Sequence, residues 1–102
     1  MTSKQKSIIK WIEDETGYTL EQLKKRDRTA TISTVRSFAM YVLPEHGYMD
    51  KSKVAELFDR EQSLVRHAKK RVLSLLDEKS HYTPCRHIAE LMAKFDKDFP
   101  PF

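Results

Sequence analysis

The sequence is poor in the residues that sheets, disulfide scaffolds and membrane spans require. Two glycines and four prolines among 102 residues are too few for a turn-dense β architecture, and long stretches rich in Lys, Glu, Leu, Ala and Arg favour helices. A single cysteine, Cys85, excludes an internal disulfide and suits a reducing compartment. The longest uninterrupted apolar run, Phe38 to Leu43, falls far short of the ~20 residues that cross a bilayer. The polar start MTSKQKS has no signal-peptide core behind it, so the expected location is cytoplasmic, with no membrane partner. No Gly-x-x-x-x-Gly-Lys-Ser/Thr loop occurs, and no nucleotide or other cofactor is expected.

What remains is a charged chain with enough apolar residues to fold. Hydrophobic residues make up 39% and charged residues 33%, which fits one domain spanning 1–102 with a single core. The formal net charge is only +4, but it is unevenly spread. Lys24 to Arg36 holds five basic residues against Asp27, and Arg60 to Val72 holds five against Glu61, each a net +4, so the rest of the chain is net −4. Two basic segments in an otherwise acidic background predict a directed positive surface, more suited to a polyanion than to solubility alone. A solvated helix face is the plainer alternative.

Apolar spacing predicts consecutive helices with short connections. Ile8, Ile9, Trp11 and Ile12 form the stripe of a first helix, which Gly17 can end in the left-handed conformation. Thr19 with Gln22 resembles a capping box, and Leu20 and Leu23 give a short second helix one buried edge. Lys24 to Ser33 has dense charge followed by β-branched residues and no helical stripe, and reads as a basic loop. A third helix is predicted from about Thr34 to Leu43, burying Val35, Phe38, Ala39 and Val42, with Pro44 at its end and Gly47 in the connection. Asp50 is the expected N-cap of a fourth helix burying Val54, Leu57 and Phe58. Asp59 is the expected N-cap of a fifth, with Gln62 reaching back. At ~100° per residue, Val65, Ala68, Val72, Leu75 and Leu76 share one arc facing the core, and Ser63 and Lys70 lie nearly opposite, flanked by Gln62, Arg66 and His67. Thr83 as N-cap and Pro84 as first helical residue open the last helix, which carries Ile88, Leu91, Met92 and Phe95. Residues 1–6 and 96–102 are expected to fray.

The fourth and fifth helices make a helix-turn-helix candidate. In such a unit the second helix enters the major groove with its N-terminal half, where polar side chains meet base edges and basic ones meet phosphates. Gln62, Ser63 and Arg66 suit base edges. Arg60, Lys69 and Lys70 suit phosphates. Other chemistries have little support. His81, Cys85 and His87 lack the fourth ligand of a closed zinc site. Trp11 and Tyr18 sit at core spacings rather than forming a stacking platform. No nucleophile, base and orienting group can be argued together, so no enzyme activity, catalytic residue or metal is expected.

From about Ser7 to Phe95 the chain resembles the C-terminal DNA-binding domain of the bacterial replication initiator DnaA. The resemblance is carried by GYTLEQLKKRDR, similar to a short helix running into a basic loop; by VRSFAMYVL, similar to the family's Arg-x-x-Ala-Met helix; and by VAELFDREQSLVRHAKKRV. The last stretch lines up with a glycine-containing turn and then Arg-Asp-His-Thr/Ser-Thr-Val-x-His-Ala, matched by Arg60, Glu61, Gln62, Ser63, Leu64, Val65, His67 and Ala68. Here the turn lacks the glycine, the basic loop is longer than usual, and Glu61-Gln62-Ser63-Leu64 replaces the Asp-His-Thr-Thr signature.

The resemblance implies an all-α, compact bundle of about six helices containing a Trp-repressor-like helix-turn-helix. It also implies major-groove reading by the start of the fifth helix and a loop arginine in the adjacent minor groove. Gln62, Ser63, Leu64 and Arg66 are the expected base-facing residues. Lys25, Arg26, Arg28, Arg36, Arg60, His67, Lys69 and Lys70 are expected at phosphates or the minor groove, with Arg26 or Arg28 as the minor-groove arm. Gln62 can bond adenine at both edge groups and Leu64 can meet a thymine methyl, so the preferred site need not be the family's usual box. The expected role is that of a stand-alone, nucleoid-associated protein binding double-stranded DNA sequence-specifically in replication initiation or its regulation. The alternative is an interaction module that holds a replication initiator or helicase-loading partner, motivated by the apolar Leu64 at the rim of the DNA face.

Overall fold

Helical periodicity carries through to six helices in the computed structural model, which describes residues 1–25, 29–78 and 83–99. Helix α1 (Ser3–Thr16) opens with a capping box: the Thr2 hydroxyl accepts from the Gln5 amide, and the Gln5 side chain accepts from the Thr2 amide. Gly17 closes it at φ 76, as its lack of a Cβ allows. Helix α2 (Leu20–Lys24) uses the expected Thr19–Gln22 box. Of the ends expected to fray, residues 3–6 and 96–98 lie within α1 and the last helix, and two contacts tie them to the rest of the fold. Buried Gln5 donates through Nε2 to the Gly47 carbonyl at 2.9 Å, and Phe99 stacks on Phe95 with ring centroids 4.9 Å apart. Residues 100–102 lie outside the described residues.

Helix α3 (Ala30–Gly47) is longer than its sequence predicts at both ends. It starts inside the segment read as loop, where the Thr34 hydroxyl donates to the Ala30 carbonyl at 2.7 Å and Ile32 packs on the core. Tertiary packing here overrides the weak helix preference of the β-branched residues. At the other end Pro44 lies within the helix rather than ending it. A proline deletes one hydrogen bond, and the final turn persists because it docks on α1. A Cβ on Gly47 would sit 3.2 Å from Ile8 Cδ1 and 3.3 Å from Gln5 Cγ. Gly47 is therefore a close-approach residue, and the left-handed turn that follows falls on Tyr48, at φ 54.

Helices α4 (Lys51–Leu57), α5 (Gln62–Asp77) and α6 (Thr83–Asp98) complete the order. Most of the positions that the spacing assigns are buried: Val35, Phe38, Ala39 and Val42 on α3, Val65, Ala68, Val72 and Leu75 on α5, and Ile88, Leu91 and Phe95 on α6. They join Ile8, Ile12, Leu23 and Val54 in one core. Leu57, Leu76 and Met92 are only partly buried, whereas Thr34, Met40 and Leu43 are buried in addition. Helix α6 begins at Thr83 itself, with Pro84 next; the capping role expected of the Thr83 side chain lies outside the described residues. No helix among the described residues is long and apolar enough to cross a membrane.

The turn between α4 and α5 corrects the sequence reading. Asp59 is not the N-cap of α5; that position is Glu61. Asp59 takes a left-handed conformation, φ 52, while its amide donates to the Glu56 carbonyl at 3.2 Å and the Arg60 amide to the Ala55 carbonyl at 2.8 Å. This is a Schellman ending of α4, with an aspartate where glycine is usual. Left-handed backbone costs an L-residue about 1–2 kcal/mol, and glycine returns part of that gain through its freer unfolded chain. Asp59→Gly should therefore stabilise the fold by about 0.5–1 kcal/mol, raising the melting temperature by ~2–8 °C. A lower melting temperature would mean that the carboxylate contributes more than the backbone relief.

Candidate nucleic-acid interface

The short α2 ends with carbonyls that no further helical turn satisfies. Two arginines distant in sequence satisfy them. Arg36, on α3, donates from Nε to the Leu23 carbonyl at 2.6 Å and from Nη2 to that of Lys25 at 2.8 Å. Arg60, in the α4–α5 turn, donates from Nη1 to the Lys24 carbonyl at 3.1 Å and from Nη2 to that of Lys25 at 3.0 Å. The same Nη1 also reaches the Phe58 and Asp59 carbonyls, at 2.9 and 3.2 Å. Cations at a helix C-terminus are favourable in the field of its peptide dipoles. The Lys25 carbonyl thus links three elements: α2, α3 and the turn before α5.

This arrangement puts the start of the basic loop next to the start of α5, since Arg60 precedes Gln62 by a single intervening residue. Lys25 is exposed there. Arg26 and Arg28, expected to supply the minor-groove arm, lie outside the described residues. From α5 itself Gln62, Ser63, Leu64, Arg66, His67, Lys69 and Lys70 are all exposed, because the core arc takes Val65, Ala68 and Val72. At ~100° per residue Ser63, Arg66 and Lys70 form the outermost line of the helix. Leu64 retains 39% of its exposure, an apolar side chain in an otherwise polar rim.

Not every expected cation points outward alone. The Arg36 and Arg60 guanidiniums are occupied by the carbonyls above, a structural use that short-range sequence spacing does not reveal. Lys69 pairs with Glu45 of α3, Nζ to Oε1 at 2.8 Å. That partner holds the Lys69 pKa above its ordinary value, first through the hydrogen bond and then through its charge. The pair is half-exposed, so solvent screening leaves it little to lose when a stronger anion arrives. The expected Asp50 cap position is also modified: Asp50 precedes α4, but its carboxylate accepts from the Ser52 hydroxyl at 3.0 Å.

One residue on this surface was missed by the sequence reading. Arg71 lines a cleft of about 200 Å³ between α3 and α5, together with Arg36, Ser37, Arg60, Leu64 and His67 over a floor of Met40 and Ala68. Arg71 is exposed, and one helical turn separates it from His67, the spacing at which two side chains share a face. That periodicity was the available signal. Elsewhere, no cluster of three or more His, Cys, Asp or Glu side chains that could hold a metal occurs among the described residues. Cys85 is buried, with Sγ 3.9 Å from Glu78 Oε2, and His81 lies outside the described residues.

Residues 5–72, from early α1 into the second half of α5, match the family described as the bacterial DnaA protein helix-turn-helix. No curated protein matches the chain.

Proposed function

Because the chain belongs to the bacterial DnaA helix-turn-helix family, we propose that it binds double-stranded DNA with α5 in the major groove and the basic loop along the adjacent backbone. The observation that carries this reading is the juxtaposition at the Lys25 carbonyl, which holds the loop's entrance beside the exposed, polar first turns of α5. Side chains at that end of a recognition helix meet base edges. Gln62, Ser63, Leu64 and Arg66 are the base-facing set. Lys25, Lys69, Lys70, Arg71 and His67 face phosphates, with Arg26 or Arg28 as the minor-groove arm. Sequence-specific binding in replication initiation or its regulation is the biological role this reading favours.

Fluorescence anisotropy with random-sequence and selected duplexes tests it. Lys70→Ala should weaken binding to every sequence alike and reduce the log–log salt slope by about 1. Gln62→Ala should instead cost about 1–3 kcal/mol on the preferred site only and leave the slope unchanged. Equal effects of both variants on every probe would contradict the assigned roles. Absence of binding at low salt would favour the second reading, a surface for a replication protein. The exposed Leu64 supplies that reading with an apolar anchor at the rim of the cleft between α3 and α5.

A further inference from the structure

Arginines on a DNA-binding surface invite assignment to phosphates, yet two of those on this one spend their donors on backbone. Five hydrogen bonds run from Arg36 and Arg60 to the carbonyls of Leu23, Lys24, Lys25, Phe58 and Asp59, besides a sixth shared at Lys25. Their distribution is specific. Arg36 fixes the end of α2 to α3, and Arg60 fixes that same end to the turn from which α5 departs. A lysine could neutralise a phosphate as well as either residue, but it lacks the planar fork that reaches several carbonyls at once.

We infer that Arg36 and Arg60 are positioning residues, a clamp that locks the entrance of the basic loop to the start of α5, so that both reach a duplex as one pre-formed surface. The inference rests on the proposed DNA binding and deepens it. An unclamped loop would have to be ordered during association, and that entropy would be subtracted from affinity. A clamped one presents Lys25 in fixed register with Gln62 and Ser63. Arg36 and Arg60 then influence binding mainly through the loop rather than through their own charge.

The full-length chain and its Arg60→Lys, Arg60→Gln and Arg36→Lys variants provide the test. Three measurements apply: trypsin cleavage after Lys24 and Lys25, affinity for a labelled random-sequence duplex across salt, and melting temperature. With the charge kept, Arg60→Lys and Arg36→Lys should each speed cleavage at those two sites on the order of tenfold by local opening. Both should weaken DNA binding on the order of tenfold with an unchanged salt slope. Full rescue by lysine, with Arg60→Gln losing about one unit of slope, would identify Arg60 as a simple phosphate contact and overturn the clamp. Cleavage accelerated at every lysine and arginine, in step with a lower melting temperature, would also overturn it, since that is general loosening. If the parent chain binds no duplex at low salt, the DNA-binding reading fails, and the cleavage rates still decide whether the arginines hold the loop.

Discussion

Phe95→Ala should destabilise the fold by about 3–5 kcal/mol, the range for emptying a buried aromatic site, and lower the melting temperature by ~15–30 °C. Phe95 is fully buried at the meeting point of four rings. Its ring lies edge-on to Trp11 at 5.3 Å and to Phe38 at 5.8 Å, and it meets His46 at 5.0 Å and stacks on Phe99 at 4.9 Å. Truncation would remove both the buried area and the quadrupole-directed contacts of each pair. The residue lies on α6, beyond the 5–72 segment that matches the family, yet it closes the core over α1 and α3. Trp11 adds a second tie to the same helix by donating from Nε1 to Asp98 Oδ2 at 2.6 Å. A domain of this size has only about 5–15 kcal/mol in reserve, so DNA binding should decline with folding in this variant. Thermal unfolding by circular dichroism measures the effect; a loss below about 1 kcal/mol would show that α6 is peripheral to the core.

Raising monovalent salt from about 50 to 200 mM should weaken duplex binding about a thousandfold or more, the consequence of a log–log slope near −5 to −6 for roughly five to seven neutralised phosphates. The candidates are Lys25, Lys69, Lys70 and Arg71 on the described surface, with the loop arginines Arg26 and Arg28 adding to them. Lys69 must first leave Glu45, but solvent screens this exposed pair and leaves it weak. Anisotropy titrations across salt read the slope directly. A slope shallower than about −2 would mean that the basic surface does not track a phosphate backbone, and would shift the balance toward a protein partner at Leu64.

The sequence made the core legible because burial on a helix follows a short repeat. The spacing of Val65, Ala68, Val72 and Leu75 identifies the inward arc of α5, and by elimination the exposure of Ser63, Arg66 and Lys70. Arg71 was legible by the same rule. The uses of Arg36 and Arg60 were not, since their carbonyl partners lie up to 36 residues away along the chain. A cation count treats a clamp and a phosphate contact alike. Asp59 misled for a related reason: aspartate suits both an N-cap and a left-handed turn, and only the hydrogen bonds ending α4 distinguish them.

What the sequence determined by itself was the helical class, the buried face of each helix, the Thr19 and Gly17 boundaries and the family pattern, because all of these are written in neighbours a few residues apart. What only the tertiary structure decided was the extent of α3 through Pro44, the close approach at Gly47, the left-handed turn at Asp59 and the commitment of two arginines to the end of α2. Each of those depends on a partner brought near by folding, and no local spacing encodes it.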